Sequence, residues 1–403
     1  MKYISIKKAS KSTSIPTETI KELIKKSIIK VKKIDSENNI DEIELLNYKK
    51  KISKNYSPKK IEIHKSKKTN FSVIELFSGC GGLALGFENA GFQTKLLLEI
   101  DKDCTETLRL NRPEWNVVNN DIKNINFSKY KNKIDVVAGG FPCQAFSYAG
   151  KGLGLEDARG TLFFEFARAV KEIKPKIAIA ENVKGLKSHD GGKTLDIMIK
   201  VMENLGYKVN YKVLRSQFHD VPQKRERIFL VCTRNDLELP VFFPKEKNYI
   251  YTLKDAFLDC PESLGYKYSG EKLSIMKKVP EGGNWKDLST YLQKKYMKGS
   301  YYLGGGKTGL ARRLSFNEPA ITMVTSPVMK QTERGHPTEN RPVNIREAAR
   351  IQTFPDSWKF HGNKSSIYKQ IGNAVPVNLA YNVARCLISM LEGKPKLEIM
   401  EKI

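Results

Sequence analysis

The chain has 403 residues, of which 70 are Lys or Arg and 44 are Asp or Glu, so its formal net charge is +26. This length allows two or three domains around a buried core, and a chain this basic is expected to bind polyanions, of which nucleic acid is the commonest. No apolar run approaches the roughly 18 residues of a membrane span, and no signal-peptide stretch is visible at the start. The six cysteines are scattered and include no C-x-x-C pair, so they predict neither a zinc site nor a disulfide framework. This cysteine usage predicts a reducing cytoplasm.

The first 70 residues differ from the rest of the chain. They contain 19 lysines, no arginine and eight acidic residues, which gives a net charge of +11. Apolar residues at helical spacing predict one helix within 17–30, and residues 41–68 are typical of a charged linker. We predict a basic Lys-rich N-terminal extension, either solvated or forming a small DNA-binding helical module; lysine excess alone also results from an A·T-rich genome.

From Phe71 onward, short apolar runs alternate with amphipathic stretches. This order predicts an α/β domain with a doubly wound, mostly parallel sheet, in which ligands bind at the carboxyl ends of the strands. The regularity is lost after residue 234, which indicates a separate functional unit. Helical patterning then returns in a C-terminal segment expected to pack back on the first domain. The predicted divisions are 1–70, 71–234, 235–344, 345–395 and a tail at 396–403.

Three successive strand ends predict a nucleoside cofactor. The first strand leads into the glycine turn FSGCGG (77–82), whose spacing fits neither an NAD-binding nor an ATP-binding loop. Glu99 ends the second strand, where a carboxylate would bind ribose hydroxyls, and Asp121 follows the third, where it would bind an adenine amino group. Asn373, in the tight turn QIGNAVP, either completes this pocket or only caps a helix, and a glycine turn by itself is also common as pure structure.

Two further strand ends supply groups that could perform chemistry. Cys143 lies in the loop GGFPCQ after the fourth strand, and a thiolate in such an open turn is a strong nucleophile, although an isolated cysteine is more often an apolar filler. Glu181 ends the fifth strand, as a general acid or as a helix cap. Strand alternation would place Arg225 and Arg227 on one face, where they orient Glu181, hold phosphate or lie on a solvated edge.

In chain order, the motifs resemble those of the cytosine-5 DNA methyltransferase family, bacterial restriction-modification type, from about Val73 to Leu391. The matching segments are FSGCGG, Glu99, NNDI, GGFPCQ, ENV, QKRER, REAARIQTFP and QIGNAVP. The resemblance implies a Rossmann-like methyltransferase fold with a target-recognition domain at 235–344. It also implies transfer of a methyl group from S-adenosyl-L-methionine to carbon 5 of a cytosine flipped out of a short, specific duplex DNA sequence.

The resemblance further implies a role for each site residue. Cys143 would add to carbon 6 of the base, Glu181 would protonate ring nitrogen 3, and Arg225 would hold the base and that carboxylate; the enamine would take the methyl group before Cys143 is eliminated. The implied cofactor residues are Phe77, Gly79, Gly81, Leu83, Glu99, Asp121, Ile122, Pro142 and Asn373. The candidate DNA contacts are Gln144, Arg227, Arg312, Arg313, Arg334 and Arg341, each of which would otherwise touch only phosphate or solvent.

Residues from Gln144 to about Arg159 resemble the mobile loop that closes over the flipped base. The expected partner is double-stranded DNA, with a restriction endonuclease acting on the same site, no metal, no membrane and a monomeric cytoplasmic enzyme. The sequence departs from the family at Cys80, at NNDI and at His219 and Asp220, which affects loop geometry rather than catalysis. Two alternatives remain: a transfer-RNA cytosine-5 methyltransferase, and a DNA-binding regulator acting through the N-terminal extension.

Overall fold

The structure is a computed structural model that describes residues 3–13, 15, 17–25, 27–34, 37–54, 57–142, 162–303 and 308–403. Cys143, Gln144 and the predicted loop to Arg159 lie outside the described residues. The strands are β1 Tyr3–Ser5, β2 Val31–Ile34, β3 Glu37–Asp41, β4 Ser72–Leu76, β5 Gln93–Glu99, β6 Val117–Asn119, β7 Val136–Gly139, β8 Ile177–Val183, β9 Tyr207–Arg215, β10 Gln223–Lys224, β11 Glu226–Arg234, β12 Phe242–Pro244, β13 Ala320–Ile321 and β14 Met400–Lys402. The α-helices are α1 Ile6–Thr13, α2 Thr17–Lys25, α3 Glu42–Lys54, α4 Gly82–Ala90, α5 Lys102–Asn111, α6 Leu162–Ile173, α7 Lys193–Asn204, α8 Leu253–Ala256, α9 Gly270–Met276, α10 Thr290–Met297, α11 Ile345–Ile351, α12 Lys364–Asn373 and α13 Val377–Glu392.

A seven-stranded sheet in the order β6-β5-β4-β7-β8-β11-β9 forms the centre of the molecule. The first five strands are parallel, whereas β11 is antiparallel to both of its neighbours. Strands β4 and β7 are buried along their whole length, as expected of a sheet covered on both faces. The predicted doubly wound, mostly parallel α/β fold is confirmed. Strand β9 is not evident from the sequence, because its exposed and half-exposed polar residues are those of an edge strand.

The C-terminal helix α13 packs closely on α4. A Cβ atom on Gly86 would lie 2.4 Å from Ala380 Cβ, and one on Gly82 would lie 2.2 Å from the carbonyl oxygen of Val375, so both positions require glycine. This contact brings the turn that follows α12 against the glycine turn that precedes α4. The stretch Lys364–Glu392 is long and apolar enough to cross a membrane, but it is mostly buried inside the fold.

Residues 3–54 form a small folded unit, called here the N-terminal module. Its antiparallel sheet has the order β1-β3-β2, and α1, α2 and α3 cover a core of its own. The buried core residues are Ile4, Ala9, Ile15, Ile20, Leu23, Ile29, Ile40 and Leu45. The prediction of a charged linker over 41–68 is wrong for 42–54, where α3 forms because Leu45 is fully buried against the core.

Residues 57–70, called here the strap, connect the N-terminal module to β4 and run along the part of the fold that contains the seven-stranded sheet. The strap is bonded to α13, since His64 N donates to Asn378 Oδ1 over 3.4 Å and Ser66 Oγ lies 2.7 Å from Tyr381 Oη. Its His64 Nε2 lies 2.6 Å from Asp220 Oδ2. The strap therefore holds the N-terminal end of the described chain to the last long helix.

The described residues between β12 and α11, 245–303 and 308–344, form short helices, strand β13 and irregular connections. They contain a separate apolar cluster that includes Tyr268, Met276, Trp285 and Met297. The chain returns to the large sheet through β13, which pairs in parallel with β10.

Candidate active site

The glycine turn after β4 has a constrained backbone. Phe77 has a φ of +60°, Gly79 of +52° and Gly81 of +90°. A positive φ is unfavourable for phenylalanine, and such strain is retained mainly where a site requires a particular backbone shape. The turn therefore holds Phe77, which is half-buried, at the carboxyl end of the central strand.

Glu99, at the end of β5, is bonded to this turn through its carboxylate. Gly79 N donates to Oε2 over 2.7 Å and Asp101 N donates to Oε1 over 2.9 Å. Burial raises the pKa of Glu99, although these two backbone donors act in the opposite direction. The turn and the acidic strand end thus form one unit at the same edge of the sheet.

The other predicted cofactor residues lie at the same edge or next to it. Ile122 and Leu83 are buried, Asp121 is half-buried at the end of β6, and Pro142 and Asn373 are exposed. A carboxylate at the end of β5, a second acid after β6 and a half-buried aromatic ring after β4 suit a nucleoside with a ribose and an adenine. Within the described residues, this donor set fits the cofactor that the sequence predicts.

Cys80 and Gln370 connect the glycine turn to α12. Cys80 Sγ donates to Gln370 O over 3.3 Å, and the side-chain Oε1 of Gln370 accepts from Thr107 Oγ1 over 2.7 Å. Cys80, which departs from the family pattern, therefore joins the turn to the helix that ends at Asn373.

Glu181, on β8, is paired with Arg227 on β11. The Nε atom of Arg227 lies 3.0 Å from Glu181 Oε1, and both side chains are largely buried. The other carboxylate oxygen lies beside Gly140, where an added Cβ would be 3.2 Å from Oε2. Burial raises the pKa of Glu181, while the positive charges of Arg227 and Arg225 lower it. A buried carboxyl group with a raised pKa suits a general acid.

Asn182 anchors the loop that leads to Cys143. Its Nδ2 donates to Phe141 O over 3.0 Å, and Phe141 is buried with its ring edge toward Phe77, 6.3 Å between centroids. Strand β8 and the glycine turn therefore both contact Phe141, the residue two positions before Cys143. Asn182 is visible in the sequence only as part of ENV, since nothing there identifies its hydrogen-bond partner.

Arg225 and Arg227 have different hydrogen-bond partners. Arg225 N donates to Gln223 O over 3.0 Å, a three-residue turn that separates β10 from β11 and interrupts the expected alternation. The Arg225 guanidinium is buried and donates to Gly372 O, over 3.1 Å from both Nη atoms, and to Met323 O. Within the described residues, Arg227 makes the direct contact with Glu181, whereas Arg225 joins the segment after β13 to the end of α12 and acts on Glu181 through its charge. The predicted role of Arg225 in holding the base and this carboxylate stays a prediction.

A buried pair of glutamines supports the same junction. Gln223 Nε2 donates to Gln352 Oε1 over 2.8 Å, and Gln223 Oε1 accepts from Met323 N over 2.9 Å. Gln352 Nε2 donates to the carbonyl oxygens of Ile371 and Ala374. Both glutamines are fully buried. Their bonds therefore fix the turn before α13 against the segment after β13.

Five of the six cysteines lie in the described part of the chain, and burial raises the thiol pKa of each. They are Cys80, Cys104, Cys232, Cys260 and Cys386. A raised pKa suppresses the thiolate form and hence nucleophilic reactivity. None of these five is suited to attack a substrate.

Three of the four arginines predicted to contact DNA in the irregular region have partners inside the protein. Arg313 is buried and donates to backbone carbonyls that include Val279 O and His336 O. Arg334 donates to Thr322 O, and Arg341 pairs with Glu339 and Glu347. Arg312 is half-buried, with no partner for its Nε in the described residues. Arg312 is therefore the best placed of the four to bind a ligand.

Comparison with known proteins identifies the family. Residues 71–389 match the family described as C-5 cytosine-specific DNA methylase. The chain is 55% identical over 337 residues to the type II methyltransferase M.PspPI of Psychrobacter sp. (strain TA137), covering 81% of each chain. It is 55% identical over 332 residues to the type II methyltransferase M.Eco47II of Escherichia coli, covering 80% of each.

A solved structure agrees with this result. The crystal structure described as a DNA modification methyltransferase encoded within an E. coli prophage is 26% identical, has a TM-score of 0.59, and is matched over 80% of this chain and 100% of its own. The chain belongs to the C-5 cytosine-specific DNA methylase family, and it is a DNA cytosine-5 methyltransferase of the restriction-modification type.

Proposed function

We propose that the enzyme methylates a cytosine flipped out of duplex DNA, with Cys143 as the nucleophile, Glu181 as the general acid and Arg227 as its charged partner. The observation that carries this proposal is the buried Glu181–Arg227 pair, 3.0 Å apart, beside Gly140 in the loop that leads to Cys143. The raised pKa of the other five cysteines supports Cys143 by comparison.

The chemistry follows from the two groups. The Cys143 thiolate adds to carbon 6 of the cytosine, and Glu181 gives its proton to ring nitrogen 3, so that the electron pair of the 5,6 double bond becomes available at carbon 5. Arg227 stabilises the carboxylate that Glu181 becomes. Once carbon 5 carries the methyl group, its proton passes to solvent, and the electron pair of that C–H bond re-forms the 5,6 double bond as Cys143 leaves as the thiolate. The proton on ring nitrogen 3 returns to the Glu181 carboxylate, which restores the acid.

We propose S-adenosyl-L-methionine as the cofactor; when bound, it supplies the methyl group. Glu99 would bind the ribose hydroxyls and Asp121 the adenine amino group, with the Phe77 ring against the adenine. Gly79, Gly81 and Leu83 would line the methionine end. The contact of the glycine turn with the turn before α13 supports a contribution from Asn373, and Pro142 would lie between cofactor and base.

Arg225 is proposed as a positioning residue. Its bonds to Gly372 O and Met323 O support a role in holding the end of α12 and the segment after β13 at a fixed separation. We also propose residues 71–234 as the catalytic domain, 235–344 as the target-recognition domain and 345–395 as the segment that completes the catalytic domain. The enzyme is proposed to act as a cytoplasmic monomer and to protect its site from a restriction endonuclease.

The test is transfer of labelled methyl groups to duplex DNA and to transfer RNA in parallel. We expect incorporation into DNA alone, and a stable covalent adduct with duplexes that contain 5-fluorocytosine at the target, because fluorine at carbon 5 blocks elimination. Cys143→Ala should lose both reactions and keep its affinity for DNA. Methylation of transfer RNA alone would exclude the proposed substrate.

Cys260→Ala provides the matched control, since Cys260 is half-buried and its thiol pKa is raised to about 11. It should retain transfer and adduct formation. Turnover by Cys143→Ala would show that another group is the nucleophile.

A further inference from the structure

The N-terminal module is the part of the fold that the methyltransferase family does not explain, because the family match begins at residue 71. The module has a closed apolar core, with Ile20 and Leu45 fully buried. It contains 13 lysines and seven acidic residues between positions 3 and 54, a net charge of +6. Its structure is therefore that of a basic domain rather than of a solvated tail.

The module is attached at the catalytic edge of the large sheet. In the sheet, Arg215 at the end of β9 is paired with Glu226 on β11. Arg227, which follows Glu226, is paired with Val183 at the end of β8. Arg215 is thus two strand spacings, about 10 Å, from the strand that carries Glu181. Arg215 Nη1 donates to Ser10 Oγ over 3.1 Å, in α1 of the module.

The docking also involves the start of α2. Arg215 Nη2 donates to Thr17 Oγ1 over 3.3 Å, and Thr19 Oγ1 donates to Asn248 O over 2.7 Å. Arg215 is itself held by Glu246, to which its Nε donates over 2.6 Å. These bonds fix the module on the enzyme at one side of the cleft.

The arrangement of α1 and α2 indicates that the module does not read DNA bases in the manner of a helix-turn-helix unit. Residues 14–16 join α1 to α2, a connection length typical of helix-turn-helix units. Such units insert the first turn of the second helix into the major groove. Here that turn faces the catalytic domain through Thr17 and Thr19, so it is not presented for independent reading of bases.

Lysines elsewhere on the module remain exposed. Among the described residues, those with exposed side chains include Lys7, Lys8, Lys25, Lys30 and Lys32. Lysine binds phosphate as a flexible point charge and carries no base specificity. The charge and placement of the module are therefore suited to the DNA backbone beside the target site.

We propose that the N-terminal module is a second DNA-binding surface that contacts phosphates flanking the target on one side, and so extends the footprint of the enzyme beyond its recognition sequence. This inference rests on the proposed duplex DNA substrate. The docked position makes the contact part of the same binding event as methylation. It predicts tighter binding to a long duplex than to one just covering the target.

The test compares duplexes of about 14 and 40 base pairs, both with the target centred, in binding and methyl-transfer assays at several salt concentrations. The triple variant Lys25→Gln, Lys30→Gln, Lys32→Gln should bind the long duplex several-fold more weakly and the short duplex normally. The slope of log affinity against log salt on the long duplex should decrease by about 0.9 per lost phosphate contact, or about 2 to 3. The footprint should shorten on one side only.

Two further variants separate charge from docking. Lys131→Gln, Lys133→Gln, Lys174→Gln removes three exposed lysines that precede β7 and β8, at the opposite edge of the sheet, and should leave the length dependence unchanged. Arg215→Ala keeps every lysine but removes the bonds from Arg215 to Ser10 and Thr17, and it should reduce the advantage of the long duplex. Thermal unfolding checks that each variant is folded.

Equal affinity of the wild type for both duplexes, or equal weakening of both by the triple variant, would overturn the inference. Sequence-specific binding of the module to DNA without the target would also overturn it, in favour of an independent reader. If methyl transfer to the short duplex is absent in the wild type, the proposed function fails instead.

Discussion

Replacement of Arg227 by glutamine tests the acid function of Glu181. The pair is 3.0 Å apart with both side chains largely buried, so solvent screens the interaction little. An arginine beside a carboxylate lowers its pKa, because the positive charge favours the ionised form. Arg227→Gln should therefore raise the pKa of Glu181 further above its usual value.

The measurement is the pH dependence of kcat. Glu181 acts in its protonated form, so activity falls as the pH rises through its pKa, and the alkaline limb should move to higher pH in Arg227→Gln. The maximal rate should also fall, by about 10- to 150-fold, since a hydrogen bond to a charged group contributes about 1.5 to 3 kcal/mol. The lost bond is the one that stabilises the carboxylate after proton transfer.

Two controls accompany this variant. Arg227→Lys keeps a positive charge and should keep the alkaline limb near its wild-type position. Arg234→Gln, at the other end of the same strand, loses an exposed pair with Asp236 and should change neither rate nor profile. An alkaline limb that stays in place in Arg227→Gln would refute the assignment of that limb to Glu181 and of Arg227 as its partner.

Three other substitutions have defined outcomes. Gly86→Ala should lower the free energy of unfolding by about 1 to 3 kcal/mol because its Cβ would overlap α13. Urea unfolding measures this, with Gly185→Ala as the control, since a Cβ on Gly185 meets no atom within 4 Å. Equal stability of the two variants would contradict the packing argument. Arg225→Met should raise KM for both S-adenosyl-L-methionine and DNA, with partial recovery in Arg225→Lys, whereas a change in kcat alone would indicate direct contact with the base. Asn182→Ala leaves the carbonyl of Phe141 without its partner and should reduce kcat/KM by about 5- to 150-fold, or about 1 to 3 kcal/mol; unchanged kinetics would show that the loop does not depend on this anchor.

The sequence predicts the positions of the acidic strand ends because parallel strands finish at one edge of a sheet. Glu99 and Glu181 are assigned correctly to such ends by this rule alone, and the glycine turn is recognised by its residues. The partner of each carboxylate is a different question. Glu99 accepts from Gly79 N, an interaction that depends on the turn conformation rather than on residue type.

The two arginines of QKRER illustrate where pattern reasoning fails. Alternation holds only in a continuous strand, and the turn from Gln223 to Arg225 breaks it. The two arginines of the motif therefore bond to different partners, although the charge of each acts on Glu181. The partners of Arg313 and Arg334 are equally hidden in the sequence, because they are backbone carbonyls, which every residue supplies. The folded core of the N-terminal module is hard to predict, because its few apolar residues are scattered among many lysines.

The bonds between the strap and α13 also impose an order on assembly. His64 and Asn378 are 314 residues apart, and Ser66 and Tyr381 are 315 apart. At about 5 to 20 residues per second of synthesis, the strap waits about 15 to 60 s for the helix that receives it. The N-terminal module leaves the ribosome first, yet its connection to the enzyme is completed only when the last helix arrives. A nascent chain interrupted before that point lacks both the helix that packs on α4 and the anchor of the strap.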